Sequence, residues 1–412
     1  MTSASGPAST GIRRSPGKAV GALLIALAAV APMTIDMFLP SLPAMTAEFE
    51  TSESVMQLGV TLFLVTFAGS QLVYGPLSDR IGRRPVMFFG LSLFILGSLV
   101  ALFAPSAEVL IGGRILQGLG GGVGPTLANA MVLDLFGREG AAKFIGYMAI
   151  ALPLAPALSP VVGGFLEEAW GWRSVFVTLT AIGVVLLVAY SSMLGETRPP
   201  DMAARRGLLA DYRTLFGNST YVGYAIVMGA MFGAHLMFIS MSSFVLQDEL
   251  GLSPRIYGLS FGFVAMGIMG GATTAQRLVK RGVTPRQVVV YGAMTSCVGG
   301  GMMVLLALAG LEHAMSVLLP QFVVSIGMGL SRPGATAGAL VPFPHIAGLA
   351  SAVLGFSQMA VSSGYNITYS QFVSPSVTGL GVGVFATVAT ALIVILVLRP
   401  GVTEERAARA VA

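Results

Sequence analysis

Residues 54–107 read SVMQLGVTLFLVTFAGSQLVYGPLSDRIGRRPVMFFGLSLFILGSLVALFAPSA, two apolar runs joined by a short basic loop. Neither run, 54–78 or 85–107, contains an Asp, Glu, Lys or Arg, whereas the loop 79–84 reads DRIGRR. A helix needs about 20 apolar residues to cross the hydrocarbon core of a bilayer, so each run is long enough for one span. The stretch predicts two membrane-spanning helices with a charged loop outside the hydrocarbon.

The composition of the whole chain agrees with this. Of its 412 residues, 55% are hydrophobic and only 10% are charged, against about 25% charged in an ordinary soluble domain. The mean hydropathy is +0.83. This excludes a soluble globular protein, because too few charges remain to cover its surface, and it excludes disorder, which requires low hydrophobicity. The chain is predicted to be an all-α polytopic membrane protein.

The reactive residue types exclude several functional classes. A single cysteine, Cys297, allows neither a disulfide framework nor a thiolate metal site, and three histidines are scattered without metal-ligand spacing. No GxxxxGK[ST] string for binding ATP occurs. We therefore expect no enzyme, no metal and no cofactor. The net charge of +5 is interpreted as a topology signal rather than as nucleic-acid binding. No cleavable signal peptide is expected, because the first apolar run is too long.

Charge-free stretches recur along the chain and predict twelve transmembrane helices. The last stretch, 333–398, must hold two spans, divided at the polar run Gln371–Gly379, and the fourth needs extension back to Ile111 to fill the bilayer. The stretches are 19–35, 54–78, 85–107, 115–133, 144–166, 174–195, 214–247, 256–276, 287–311, 313–331 and 333–398.

The basic residues set the orientation. They are concentrated in both tails and in alternate loops, whereas the other loops are mainly acidic, which places both termini in the cytoplasm. The longest polar connection, in mid-chain, is basic and is expected to be a linker between two six-helix bundles. The predicted parts are an N-terminal tail 1–18, a bundle 19–195, a linker 196–213, a bundle 214–398 and a C-terminal tail 399–412. A faint repeat of 79–84 at 276–281 supports parallel halves, between which transporters bind substrate; two unrelated basic loops are the alternative.

Asp36 is the most informative residue, because it interrupts the first apolar run in the string MTIDMFLP, residues 33–40. A charge at the centre of a membrane helix costs about 2.5–3.5 kcal/mol, and such residues usually face a bundle interior and have a function. A carboxyl in a low-dielectric setting can exchange a proton at physiological pH. We expect Asp36 to bind protons or substrate. The alternative is that helix 1 ends early, at Pro40 and Pro43, and that Asp36 caps an outer loop.

Arg114 lies in the string RILQGLGGG, residues 114–122. Arginine does not lose its proton, so it is a fixed charge suited to holding an acid. If helix 4 enters from the outside near Glu108, Arg114 lies about 9 Å down its axis, at a depth similar to that of Asp36. The two side chains are expected to share one layer of the cavity. The alternative is an arginine that snorkels to the outer headgroups.

Two further motifs predict moving parts. In the loop Gly75–Pro85, GPLSDRIGRRP, Gly82 allows a tight turn, and the charges are expected to clamp helix ends at a cytoplasmic gate. A topology loop alone would explain the arginines but neither Asp79 nor the glycine spacing. Helix 5 is expected to be bent by three prolines. The candidate gate residues are Gly75, Asp79, Arg80, Gly82, Arg83 and Asp134. The helix 5 motif comprises Pro153, Pro156, Pro160, Gly163 and Gly164.

Several polar residues at membrane depth are possible cavity residues, although interhelical hydrogen bonds are the more common role of such side chains. They are Gln117, Asn129, Gln358, Tyr365 and Asn366.

Taken together, these motifs resemble the major facilitator superfamily over essentially residues 19–400. The loop matches its signature GxLxDRxGRR, and the Arg114 string resembles its helix 4 motif. Further strings are similar to twelve-helix drug:proton antiporters, and the narrowest resembles the bicyclomycin and chloramphenicol resistance branch, which includes florfenicol exporters. These strings are Pro156–Gly164, Trp172–Phe176, Glu196–Pro199 and Ile35–Pro43.

The resemblance implies a monomeric exporter in the bacterial inner membrane that exchanges protons for small lipophilic drugs by alternating access. It implies that Asp36 is the protonatable residue and Arg114 its partner. Asp79, Arg83 and Asp134 would form a charge cluster that stabilises the outward-facing state. Gln276 replaces the acid in the second half, which weakens any claim of a symmetric second gate. The alternative function is transport of a natural metabolite such as a sugar, an amino-acid derivative or a siderophore. An intramembrane enzyme or a transport-inactive sensor would not need these motifs.

Overall fold

The computed structural model describes residues 18–152, 154–198, 208–343 and 346–400, and within them every regular element is helical. The first group of helices is α1 Lys18–Phe38, α2 Leu42–Glu48, α3 Glu53–Ile81, α4 Arg83–Leu102, α5 Ala107–Gly121, α6 Val123–Ala151, α7 Leu154–Trp170 and α8 Arg173–Met193. A short α9, Leu208–Phe216, leads to the second group: α10 Ser219–Phe244, α11 Pro254–Lys280, α12 Pro285–Leu308, α13 Ala314–Leu340, α14 Ala347–Ser370 and α15 Val377–Val397.

The helices begin where the sequence supplies hydrogen-bond acceptors for their first N–H groups. The side chains of Ser52, Asn218, Ser253 and Ser376 cap α3, α10, α11 and α15. At α12, Thr284 forms a reciprocal capping box with the side chain of Gln287. Such caps satisfy N–H groups that have no partner inside the helix.

Nine helices or continuous helical stretches within the described residues are long and apolar enough to cross a membrane. The predicted spans 4, 5 and 11 are not among them. Span 4 is divided at Gly122, where α5 ends, and α6 contains non-helical Gly137. The predicted span 11 corresponds to α14, which is long enough but carries serine, glutamine and asparagine side chains that lower its hydropathy.

The end of the predicted linker 196–213 is helical. Helix α9 begins inside this range, packs against α10 and buries Leu215 completely. The predicted break between the last two spans lies where the sequence placed it, since α14 ends at Ser370 and α15 begins at Val377.

The helices pack as two groups, α1–α8 and α10–α15, which touch mainly through α3 with α14 and α7 with α11. We call the end that carries the α3–α4 loop and Glu196 the linker face, because Glu196 binds that loop. The opposite end, which carries the α2–α3 and α10–α11 connections, is called the far face. The helices that are long and apolar enough to cross a membrane run between the two faces, so the seam between the two groups runs through the depth of the molecule.

Candidate functional site

Arg114 is completely buried at the meeting point of α1, α3 and α5. Its Nε donates to the carbonyl oxygen of Gly59 over 3.2 Å, and its Nη1 donates to the carbonyl oxygen of Thr34 over 3.3 Å. Its guanidinium carbon lies 4.3 Å and 4.4 Å from the ring centroids of Phe38 and Phe63. A cation held between two rings and two carbonyls is desolvated and fixed. The side chain does not snorkel to the headgroups.

Gln117 supports this arginine instead of lining a cavity. Its Oε1 accepts a 2.9 Å hydrogen bond from Arg114, and its Nε2 donates to Ser98 over 2.8 Å. The side chain has no exposed surface. In this conformation both ends of the amide are occupied, and a role for Gln117 as a cavity residue stays a prediction.

Asp36 lies inside α1, two residues before the helix ends, and only 6% of it is exposed. The chain continues through a 3-10 turn, Leu39–Ser41, into α2, so Asp36 does not cap an outer loop. Its carboxylate makes no hydrogen bond to a described residue, and the described ion pairs do not join it to Arg114. Arg114 instead contacts the backbone of α1 at Thr34. The carboxyl is thus buried and unpaired.

Asp36 also lies near the seam between the two groups of helices. It interacts electrostatically with Tyr257 of α11, whose hydroxyl lies 3.2 Å from that of Ser242 in α10. A proton gained or lost at this carboxyl therefore changes a charge next to the seam. If the two groups of helices move relative to each other at this seam, the charge of Asp36 changes the relative free energies of their arrangements.

Hydrogen bonds close the seam towards the far face. Ser243 of α10 donates to the carbonyl oxygen of Leu39 over 2.6 Å, and Gln247 donates to that of Pro40 over 3.1 Å. Deeper in the membrane, Thr61 of α3 donates to Asn366 of α14 over 3.4 Å. We call this set of bonds the far-face seam.

Asn366 belongs to the far-face seam and has no exposed surface, because its Nδ2 also donates to Ser240 over 2.8 Å. A role for Asn366 as a cavity residue stays a prediction. Tyr365 is half-buried and stacks on Tyr369, with 6.1 Å between the ring centroids. Asn129 is exposed on α6.

The helix 5 motif lies where α7 packs against α1 and α11. Gly163 and Gly164 are buried, and a Cβ added at either would overlap the carbonyl oxygen of Met37 or of Pro254, respectively. The facing Gly258 of α11 has the same constraint against Pro160. Absence of side chains here lets α7 approach both α1 and α11 closely. Pro156 lies in the first turn of α7, and Pro153 lies outside the described residues.

The predicted charge cluster is present at the linker face. The buried Arg83 pairs with Asp79 and with Asp134, the latter over 3.3 Å. Gly82, between α3 and α4, has φ +106°, which a side chain would strain. Arg80 is exposed, and its carbonyl oxygen accepts a bond from Arg198 over 3.3 Å.

Glu196 is part of this cluster, although the sequence did not single it out as a site residue. Its carboxylate accepts from the N–H groups of Arg83 and Arg84, at 2.9 Å and 3.1 Å, and so caps α4. Burial alone would raise the pKa of Glu196, but backbone N–H groups of Arg198, Arg83, Arg84 and Thr197 together lower it. In the sequence, the only local sign of this role was an acidic residue after helix 6. Its partner lies 113 residues earlier in the chain.

Two of the cavities among the described residues lie between helices. One, of about 180 Å³, lies at the linker face between the two groups and is lined by Gly75, Asp79, Arg80 and Tyr212 among others. The second, of about 20 Å³, lies inside the second group and is lined by Gln358 and Arg332 among others. The residues described hold no cluster of three His, Cys, Asp or Glu side chains that suits a metal ion.

A sealed far face, a cavity at the linker face and a buried carboxyl beside the seam are the geometry of a solute carrier. The family model of the Major Facilitator Superfamily matches residues 24–364. This chain belongs to that superfamily. It is a transport protein, multi-pass in the bacterial inner membrane.

Curated relatives cover most of the chain. Multidrug resistance protein D of Escherichia coli strain K12 is 32% identical over 334 residues, 81% of this chain and 84% of the relative. A chloramphenicol resistance protein of Pseudomonas aeruginosa is 29% identical, over 79% of this chain and 77% of the relative. Multidrug resistance protein MdtL of Klebsiella pneumoniae strain 342 is 27% identical, over 91% and 94%.

Solved structures share the fold of this member of the superfamily. The crystal structure of a D-xylose-proton symporter has a TM-score of 0.75 at 15% identity and covers 92% of this chain and 97% of its own. The xylose transporter XylE from E. coli, in a partially occluded inward-open conformation, has a TM-score of 0.71 at 14% identity and the same coverage. At these identities the likeness concerns the fold alone.

Proposed function

We propose that this protein exports small lipophilic drugs, of which chloramphenicol-type compounds are the leading class, in exchange for protons. The observation that carries the proposal is the buried, unpaired carboxyl of Asp36 beside the seam between the two groups of helices. The names of the relatives, two multidrug resistance proteins and a chloramphenicol resistance protein, support the class of substrate.

The proposal includes twelve spans with both termini in the cytoplasm. In it, α5 with the first part of α6 is span 4, the remainder of α6 with α7 is span 5, and α14 is span 11. The bundles are 19–195 and 214–398, flanked by tails 1–18 and 399–412 and joined by 196–213. The linker face is then cytoplasmic, in agreement with its arginines. The transporter works as a monomer, because one chain supplies both bundles.

In this scheme, the conformation corresponds to an inward-facing state. The far-face seam closes the outside, and the cavity of about 180 Å³ is on the cytoplasmic side. The drug enters that cavity while Asp36 is deprotonated. Protonation of Asp36 from the outside removes its charge from the seam, and the drug is displaced outwards. One charge crossing 100 mV supplies about 2.3 kcal/mol to this cycle.

Two charged groups have supporting roles in the proposal. Arg114 holds α1 at Thr34 and Phe38 and so fixes the backbone that carries Asp36. The cluster of Asp79, Arg83 and Asp134 lies within the first bundle, where it joins the cytoplasmic ends of α3, α4 and α6 so that they move as one body. We propose in addition that this cluster stabilises the outward-facing state.

The test is a drug panel on an efflux-deficient bacterial host that expresses the wild type, Asp36→Asn or Glu168→Gln. Amphenicols, bicyclomycin, quinolones and cationic dyes are included, and protein levels are checked by immunoblot. Glu168 is an exposed acid and serves as the matched control. We expect resistance from the wild type and from the control, and loss of resistance from Asp36→Asn. Full resistance from a well-expressed Asp36→Asn would refute the coupling role.

Transport of a sugar is the second candidate, because the solved structures that share the fold are xylose transporters. Uptake of radiolabelled D-xylose into the same host separates the two. Drug resistance without xylose uptake favours export of drugs, whereas uptake without resistance favours the metabolite.

A further inference from the structure

We infer that Tyr212 of the short helix α9 forms one wall of the site at which exported compounds enter from the linker face, and that this site holds an aromatic ring. The inference deepens the proposed export function and rests on it. It adds a residue that determines specificity and that belongs to the predicted linker rather than to either bundle.

The site is the cavity of about 180 Å³ at the linker face. Its walls come from α3 and α6 of the first group, from α14 of the second group and from α9, so the cavity lies where the two groups meet. On α3 the lining residues recur at a spacing of four and therefore form one face of the helix. They are Gln71, Leu72, Gly75, Pro76, Asp79 and Arg80.

Two glycines give the cavity the shape of a slot. Gly75 of α3 and Gly348 of α14 line it from opposite groups. Among the described residues, a Cβ added at Gly348 would meet nothing within 4 Å, and one added at Gly75 would meet Thr126 at 3.9 Å. Glycine lets a ligand approach the backbone closely. A planar ring fits between two such backbones.

The volume of the cavity is sufficient for one ring. A cavity of about 150 Å³ is large enough to bind benzene, and this one measures about 180 Å³. The rest of a drug-sized compound must extend towards the linker face, where Arg80 and Gly348 are exposed. Entry is from that side, because Thr61 of α3 and Asn366 of α14 join the two helices deeper in the membrane.

Tyr212 supplies the aromatic wall. It is partly buried, packs against the hydrophobic core and lies one helical turn before Leu215, which is completely buried. Residues three apart share a helix face, so the side chain of Tyr212 points into the molecule. Tyr365 stacks on Tyr369, whereas Tyr212 stacks on no ring among the described residues. Its ring is therefore available to a ligand.

An aromatic ligand gains more from this wall than an aliphatic ligand of equal size. Aromatic pairs in offset or edge-to-face geometry are attracted beyond the area that they bury, because the faces of the rings are negative and their edges are positive. This attraction corresponds to about 2- to 12-fold in affinity.

The experiment is isothermal titration calorimetry on the full chain purified in detergent. The probes are chloramphenicol, which carries a nitrophenyl ring, and bicyclomycin, which has no aromatic ring. The variants are Tyr212→Phe, which keeps the ring, and Tyr212→Leu, which keeps apolar bulk without the ring. The matched control is Phe216→Leu, which removes an exposed ring of α9 that does not line the cavity.

We expect the wild type, Tyr212→Phe and the control to bind chloramphenicol with similar affinity. Tyr212→Leu should bind it about 2- to 12-fold more weakly, because the attraction between rings is lost. Bicyclomycin should not distinguish the wild type from any of the variants, since it makes no such contact.

A fluorescent reporter gives a second measurement that does not depend on the leucine variant. Chloramphenicol should quench the tryptophan fluorescence of Tyr212→Trp, because a nitrophenyl ring stacked on an indole accepts its excitation. Phe216→Trp is the matched control and should be quenched less. The two native tryptophans, Trp170 and Trp172, are present in both proteins and cancel in the comparison.

The possible failures are distinguishable. Unchanged chloramphenicol affinity in folded Tyr212→Leu, or equal quenching of the two tryptophan variants, would overturn the site and leave the export function intact. An equal loss of bicyclomycin affinity in Tyr212→Leu would overturn the preference for a ring. A wild type that confers resistance in the drug panel but does not bind chloramphenicol would overturn the substrate assignment. A wild type that binds neither probe and confers no resistance would overturn the proposed function and this inference with it.

Discussion

Ser243→Ala should open the far-face seam. In the structure, the Ser243 hydroxyl donates to the carbonyl oxygen of Leu39 over 2.6 Å and accepts from Gln247 over 2.7 Å. The first of these bonds joins the two groups of helices, and both are lost with the hydroxyl. Leu39 keeps one further donor, the N–H of Leu42, and Gln247 keeps the carbonyl of Pro40.

The size of the effect follows from the hydrogen bonds that remain after the substitution. One buried intergroup hydrogen bond contributes about 0.5–1.5 kcal/mol net, and a partly unsatisfied buried partner adds to the loss. We therefore expect the closed far face to lose about 1–2 kcal/mol relative to the open one. That corresponds to a rise of about 5- to 30-fold in the ratio of open to closed molecules.

Distances between pairs of spin labels measure this ratio directly. A Cys297→Ser background removes the native cysteine. One label pair, at the exposed residues Ala47 and Glu312, spans the far face, and a second, at Arg84 and Lys280, spans the linker face. In Ser243→Ala, the long-distance population should grow for the first pair, and the distances of the second pair should shorten.

Ser362→Ala is the matched control. Ser362 is equally buried, but its hydroxyl donates to the carbonyl oxygen of Met359 in its own helix over 3.0 Å. The control should leave both distance distributions as in the wild type. An unchanged far-face distribution in Ser243→Ala, or an equal shift in the control, would refute the assignment of this bond to the seam.

Two further predictions concern the linker face. Gly82→Ala should lower stability by about 1–3 kcal/mol, because the residue has φ +106° and its Cβ would overlap Glu196. Thermal melting in detergent measures this, with Gly112→Ala as the control, which meets open space inside α5 and should leave stability unchanged or raise it by up to about 1 kcal/mol. Glu196 should make stability pH-dependent. Because its pKa is lowered from the ordinary 4.5 in the folded protein, its stabilising effect is present above the ordinary value and lost as the pH falls through the lowered one. Melting temperatures recorded between pH 7 and pH 3 should fall less in Glu196→Gln than in the wild type, and identical pH profiles would contradict the role of Glu196 as a charged cap.

The positions of the helices were easier to predict from the sequence than the partners of the buried polar groups. Apolar length and the position of basic residues predicted most of the long helices, because crossing the hydrocarbon requires a fixed number of residues regardless of what surrounds the helix. The charge cluster at Arg83 was implied by the resemblance of residues 75–84 to the signature loop of the superfamily, although Asp79 and Arg83 lie at the ends of two different helices, on either side of Gly82. Span 4 was predicted less well, because Gly122 interrupts the helix inside an apolar stretch, whereas the non-helical Gly137 lies in the charged segment between the predicted spans 4 and 5.

The partners of the buried polar groups were not predictable. Asp36 and Arg114 were recognisable as costly intramembrane charges, yet Arg114 binds the backbone of α1 at Thr34 and not Asp36. Gln117 and Asn366 were candidate cavity residues, and both are satisfied by neighbouring helices. Arg332 received little attention in the sequence, although it lines a cavity inside the second group of helices.

The sequence by itself determined that this protein is a helical membrane protein, where most of its helices lie, and which residues carry charge into the membrane. Each of these depends on the free energy of moving one segment from water into lipid, a local property. The tertiary structure alone decided which charges are paired, which face is sealed and where the cavities are. Those depend on the rotation of each helix about its axis and on the contacts between helices far apart in the chain. In helices that are apolar on all sides, the periodicity of the sequence does not encode that rotation.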